Sequence, residues 1–201
     1  GAGSLTKTNP GTLTLSGTNT YSGGTVISGG TVALASGVTE AISTGPVTIK
    51  GGRNFRLIGA RFGGRKSAPS GSYDSPNRGI RISDGADSRV IYMEGLYFES
   101  GTYLSDAIQF AIRTTNNVTA YVQNVRVDAI NYGTQANVHA DAMQIWGGPK
   151  ELFVDGFVAN NCTYQGFYWD VADGRALPAS PHKPWIVRRV FLKGSALTGG
   201  A

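Results

Sequence analysis

A chain of 201 residues with 29 glycines, 15% charged residues and a net charge of +5 suits one elongated domain with many tight turns between buried strands, and it excludes a disordered polyelectrolyte. The single cysteine, Cys162, excludes an internal disulfide, and its ordinary place is a small buried position beside a strand end. No apolar run is long enough to span a bilayer, and no charged-then-apolar signal opens the chain; the abrupt ends at Gly1 and Ala201 suggest an excised piece of something longer.

Residues 1–36 are low in charge and punctuated by Gly. Leu13 with Leu15, the β-branched run Thr25-Val26-Ile27, and Val32 with Leu34 read as three short strands separated by Asn-Thr-Tyr-Ser-Gly-Gly and Ser-Gly-Gly turns. The run from Gly11 to Thr25, continued by Gly29-Gly30-Thr31, resembles the autotransporter-associated β-strand repeat. That resemblance implies an exported protein, secreted or held at a bacterial cell surface, with this repeat forming its first coils.

Residues 37–50 lead through Gly45-Pro46 into a strand at Val47 to Ile49. Positive charge then concentrates between Lys50 and Arg81, and the polar, proline-containing stretch around Arg65 and Lys66 reads as a projecting loop. Such a segment can hold an anionic partner through its field and through Arg forks on carboxylates, or it can be a solvated basic face that aids solubility. Nucleic acid is the weaker partner, because there is no recognised nucleic-acid fold and no regular basic–aromatic stripe.

From Asn54 onward five nine-residue segments share one frame: Asn54 to Phe62, Val90 to Phe98, Thr119 to Val127, Glu151 to Ala159 and Pro184 to Leu192. Their second residues, Phe55, Ile91, Ala120, Leu152 and Trp185, are 36, 29, 32 and 33 residues apart. A companion strand precedes each later segment, at Gly79 to Ile82, Ala107 to Phe110, Ala142 to Ile145 and Gly166 to Trp169, apolar at its second and fourth places. Two strands per unit at about 30-residue spacing, with no helical periodicity, describe an all-β solenoid: a single-stranded parallel β-helix, one coil per unit. Gly59, Gly95, Asn124 and Gly156 recur where each coil must bend, a place that favours residues tolerating positive φ. Residues 37–201 then continue the coils of residues 1–36 as one domain.

Alternation within the companion strands turns Ile80, Ile108, Met143 and Phe167 inward, so the outward ladder is Arg81, Gln109, Gln144 and Tyr168, followed by Ser83, Ala111, Trp146 and Asp170. This polar and aromatic strip could carry a linear sugar chain, with Trp146 and Tyr168 against pyranose faces. Asp106 and Asp141 precede equivalent strands, where a carboxylate caps local backbone N–H groups. In a catalytic reading His139 exchanges the proton, Asp141 orients it and Tyr168 or Asp170 completes the site; for β-elimination on a uronide Arg81 neutralises the carboxylate, and His139, Tyr168 or a lysine is the base. A glycoside hydrolase would have to use Asp141 with Asp170. No His/Cys cluster points to zinc, no cofactor is called for, and only the loose pair Asp84 and Asp87 hints at calcium. The segment Val171 to Lys183 reads as a lid or rim bearing Arg175 and His182.

The residues VTIKGGRNFRLIGARF and the run from His139 to Asp170 resemble secreted bacterial right-handed parallel β-helices of the pectate-lyase-like superfamily. The resemblance implies the fold and the hand of the coil; it transfers no catalytic set, since the clustered aspartates of the calcium-dependent lyases are not matched. Three expectations stand: a module binding an anionic polysaccharide, a polysaccharide lyase, and a structural adhesin stalk with end-to-end or parent-protein contacts.

Overall fold

The computed structural model describes residues 3–9, 11–15, 25–27, 31–34, 47–49, 54–62, 78–83, 89–99, 104–112, 118–128, 140–162, 165–170 and 183–194. Every regular element among them is a strand: β1 (Leu5–Lys7), β2 (Thr12–Leu15), β3 (Thr25–Ile27), β4 (Thr31–Leu34), β5 (Val47–Ile49), β6 (Asn54–Ile58), β7 (Arg61–Phe62) and β8 (Arg78–Ser83). The series continues with β9 (Arg89–Glu94), β10 (Tyr97–Phe98), β11 (Asp106–Ala111), β12 (Val118–Asp128), β13 (Asp141–Trp146), β14 (Glu151–Cys162), β15 (Phe167–Asp170) and β16 (Ile186–Gly194).

The strands form a parallel β-helix. One sheet of seven runs β1-β3-β5-β8-β11-β13-β15, and a second stacks β6 and β7, β9 and β10, β12, β14 and β16; β2 pairs with β4. All pairings are parallel, and the five nine-residue segments lie in the register their shared frame predicts: Asn54 opposite Val90, Val90 opposite Thr119, and Thr119 opposite Glu151. In the first sheet the partners Leu5, Thr25, Val47, Ile80, Ile108, Met143 and Phe167 step by 20, 22, 33, 28, 35 and 24 residues. The first coils are thus shorter than about 30 residues, the spacing read from the later segments. The structure also adds β1, which the hydrophobic pattern does not announce because Leu5 is its one apolar residue.

Between the sheets lies one continuous apolar core. Phe55, Ile91, Ala120 and Leu152 form one buried column from the second sheet; Leu57, Met93, Val122 and Val154 form another; Ile80, Ile108 and Met143 face them from the first. Phe62 and Phe98 stack with centroids 4.7 Å apart, so side chains as well as backbones repeat from coil to coil. Each large aliphatic or aromatic side chain so buried contributes about 1.5–3 kcal/mol, which makes the repeated apolar columns the main favourable term in the stack.

The bend within each segment of the second sheet is a left-handed residue. Gly59, Gly95, Asn124, Gly156 and Arg189 occupy the sixth place of the five segments, with φ of +68°, +65°, +51°, +71° and +51°. At Gly95 the corner stays hydrogen-bonded to the next coil, its N–H donating to the Gln123 carbonyl at 3.1 Å. Arg189 is the member that Gly/Asn preference does not flag; its guanidinium and that of Arg188 both donate to Asp155, which holds the Asp155 carboxyl below the usual carboxylate range.

A Cβ at Gly156 would stand 2.8 Å from Asn124 Oδ1 in the coil below. Gly156→Val therefore lowers stability by about 2–4 kcal/mol, through backbone strain and that contact, whereas Asn124→Gly stays within about 1 kcal/mol; urea unfolding of the two variants measures the difference.

Candidate functional site

The ladder expected on the first sheet exists in register but not in exposure. Arg81, Gln109, Gln144 and Tyr168 are successive partners, as are Ser83, Ala111, Trp146 and Asp170. Gln109 and Gln144, however, are only 3% and 6% exposed, and β11 is buried along its whole length. The expectation that both glutamines offer their amides to a bound sugar is corrected: in these central rungs both strand faces are covered, and the carboxamides are satisfied internally.

Their partners are the two aspartates. Gln109 Nε2 donates to Asp106 Oδ2 at 3.2 Å and to Gln144 Oε1 at 2.5 Å; Gln144 Nε2 donates to Asp141 Oδ2 at 3.2 Å. The Gln165 amide donates to Asp141 Oδ1, and Arg78 Nε donates to Asp106 Oδ2, each at 3.2 Å. Asp106 Oδ1 and Ser105 Oγ are buried without a hydrogen-bond partner among the described residues. Burial pushes both carboxyls up, to about 7; at Asp106 the Arg78 charge opposes the rise and the Asp141 charge adds to it, while at Asp141 the Gln165 N–H and the Gln144 amide oppose it. Each aspartate sits at the start of its strand, but the backbone N–H that Asp141 accepts is that of Gln165, in the next coil, and not the local amide that turn capping expects. Asp141 is 0% exposed, so its own carboxyl cannot touch a polymer.

Of the remaining members of the strip, Ala111 is buried and Arg81, Ser83, Trp146, Tyr168 and Asp170 are half-buried. Trp146 and Tyr168 pair with ring centroids 5.2 Å apart at 52°, tilted so that the rings do not cover one another fully. His139, Arg65, Lys66, Arg175 and His182, with the calcium pair Asp84 and Asp87, lie outside the described residues. Among the described residues no three His, Cys, Asp or Glu side chains cluster closely enough to hold a metal ion.

On the outer face of the second sheet stands an aromatic column that the frame contained but the sequence reading passed over. Arg56, Tyr92, Tyr121, Phe153 and Ile186 are successive partners. The Arg56 guanidinium lies 5.4 Å from the Tyr92 centroid, and Tyr121 stacks on Phe153 at 4.8 Å and 9°. The signal was available as the third residue of each segment. Tyr121 and Phe153 spend their faces on each other, while Tyr92 and Tyr121 meet tilted at 6.2 Å and 44°, which makes this column a packing device more than a sugar platform.

Residues 5–34, which span β1 to β4, match the family model of the passenger-associated-transport-repeat. This bears out the autotransporter-type repeat expected in residues 1–36. No curated protein matches the chain, and no solved structure does.

Gln144→Leu removes the donor to Asp141 and the acceptor of Gln109 together. It costs about 2–4 kcal/mol in chemical denaturation, against about 0.5 kcal/mol or less for a side chain on an exposed strip.

Proposed function

We propose that this chain is a β-helical part of an exported bacterial passenger, secreted or displayed at the cell surface, and that it binds acidic polysaccharide along the flank bearing Trp146, Tyr168, Arg81 and Asp170. The observation that carries the binding reading is the Trp146–Tyr168 pair: two large half-buried rings on adjacent rungs, tilted and close to charged and hydrogen-bonding side chains. Such a pair supplies apolar surface for pyranose faces, while Arg81 and the net charge of +5 favour an anionic chain. The export reading is supported by the transport repeat at residues 5–34.

The hydrolase scheme is disfavoured because Asp141, one of its two carboxylates, is enclosed in the glutamine network; in the lyase scheme Asp141 only orients His139, and product formation is what separates binding from turnover. A reacting sugar has to come within hydrogen-bond reach of its acid or base.

Affinity chromatography on alginate, pectate and glycosaminoglycans tests the reading. The protein is retained on at least one polymer, with no rise in the ultraviolet absorbance of unsaturated uronides. Trp146→Ala and Tyr168→Ala each weaken retention about tenfold, equivalent to about 1.4 kcal/mol. Absence of retention on every polymer, or retention indifferent to both substitutions, contradicts the proposal; accumulation of unsaturated product makes the protein a lyase.

A further inference from the structure

The buried network carries an uneven charge. Arg78, Asp106 and Asp141 are register partners on β8, β11 and β13, and thus form one column across three rungs. Neighbouring rungs are about 4.8 Å apart, and two buried carboxyls on adjacent rungs repel one another when both ionise. The one guanidinium in the column bonds Asp106, while Asp141 meets only neutral donors, the Gln165 amide and the Gln144 carboxamide.

The other described charges on the packed elements stand elsewhere or are already matched. Arg81 on β8 lies in the column of Gln109 and Gln144; Asp170 on β15 is opposite Trp146, at the far end of β13 from Asp141. Across the core, β14 carries Glu151, paired with Lys183, and Asp155, paired with Arg188 and Arg189; β12 carries Arg126, paired with Asp128. With both carboxylates ionised, the Arg78–Asp106–Asp141 column keeps one uncompensated negative charge.

We infer that Asp106 and Asp141 share one bound proton at neutral pH, and that this proton is a structural component which locks the central coils together and loosens them when it is lost. Asp106 Oδ1, the one carboxylate oxygen of the pair with no hydrogen-bond partner among the described residues, is where the network leaves room for it. The glutamines link the coils around it: Gln109 Nε2 donates to Asp106 and to Gln144 Oε1, and Gln144 Nε2 donates to Asp141.

The direction of the pH dependence follows from the raised carboxyls. Because both stand at about 7 in the folded chain against the ordinary 3.8, the folded state binds more protons than the unfolded state between those values. The stabilisation is complete below about pH 4 and is lost as pH rises through about 7. Asp128 and Asp155, whose carboxyls are held low, act in the opposite sense and at more acidic pH.

The test is the urea midpoint of the full chain measured from about pH 4 to about pH 8 for the wild type and for Asp106→Asn, Asp141→Asn and His139→Gln. The wild-type midpoint falls as pH rises from about 4 to about 7 and levels off above that. Asp106→Asn flattens the profile and unfolds at higher urea than the wild type at the alkaline end, and His139→Gln keeps the wild-type slope. A flat wild-type profile, a slope that survives both Asn variants, or a slope removed by His139→Gln overturns the inference. Should neither Asn variant fold, carbon NMR of the wild-type aspartate carboxyls decides: a protonated aspartate near pH 6 is expected, and full ionisation of every aspartate at that pH overturns it.

Discussion

Everything in this molecule depends on keeping parallel strands in register from one coil to the next. A slip by one residue would turn every core side chain of a rung outward, so the register has to be pinned at each coil. The left-handed residue at the sixth place of each second-sheet segment does this. It bends the strand at the same point in all five coils, and the hydrogen bond from Gly95 to Gln123 shows that the bend is part of the ladder and not a break in it. Once the bend is fixed, the apolar columns on either side of it fall into place: Leu57, Met93, Val122 and Val154 before it, Phe62, Phe98, Val127 and Ala159 after it.

Stacking identical positions is favourable for apolar groups and difficult for charges. The outer face of the second sheet handles the difficulty by alternation, as where Tyr97 lies between the guanidiniums of Arg61 and Arg126, 5.7 and 5.9 Å from its centroid. The first sheet meets it in the interior, where like residues stand on like: Asp106 beside Asp141 and Gln109 beside Gln144. Glutamine tolerates such stacking because its amide is donor and acceptor at once. Aspartate does not, and its column is balanced only by Arg78 and, on the inference drawn above, by a proton.

Much of this architecture could be read from the chain. The shared frame of the five segments gave strand positions and register, because Gly or Asn at its sixth place and apolar residues around it are enforced by backbone geometry and by the core. The N-terminal repeat was legible from its Thr, Leu and Gly-Gly spacing. Arg189 escaped, since nothing in residue preference marks an arginine as left-handed; two guanidiniums on Asp155 hold it there. The interior glutamines escaped for a different reason. Alternation shows which residues share a face, but not whether that face meets solvent, and Gln109 and Gln144 look the same in sequence on a wet ladder and in a dry one. The aromatic column of Tyr92, Tyr121 and Phe153 was visible at the third place of each segment and needed only the question of what stands on the other face of the second sheet.

The functional account joins an export-associated repeat at one end to a coil stack whose interior polar network is structural and whose flank offers two aromatic rings. Its central claim is that β11 and β13, despite their polar sequence, lie within the cooperative interior of the stack. Amide hydrogen exchange tests this most directly. The account predicts that the amides of β11 and β13 exchange as slowly as those of β12 and β14 and open with them as one unit; fast exchange in β11 and β13 beside a protected β12 and β14 would contradict it and return the glutamines to the surface.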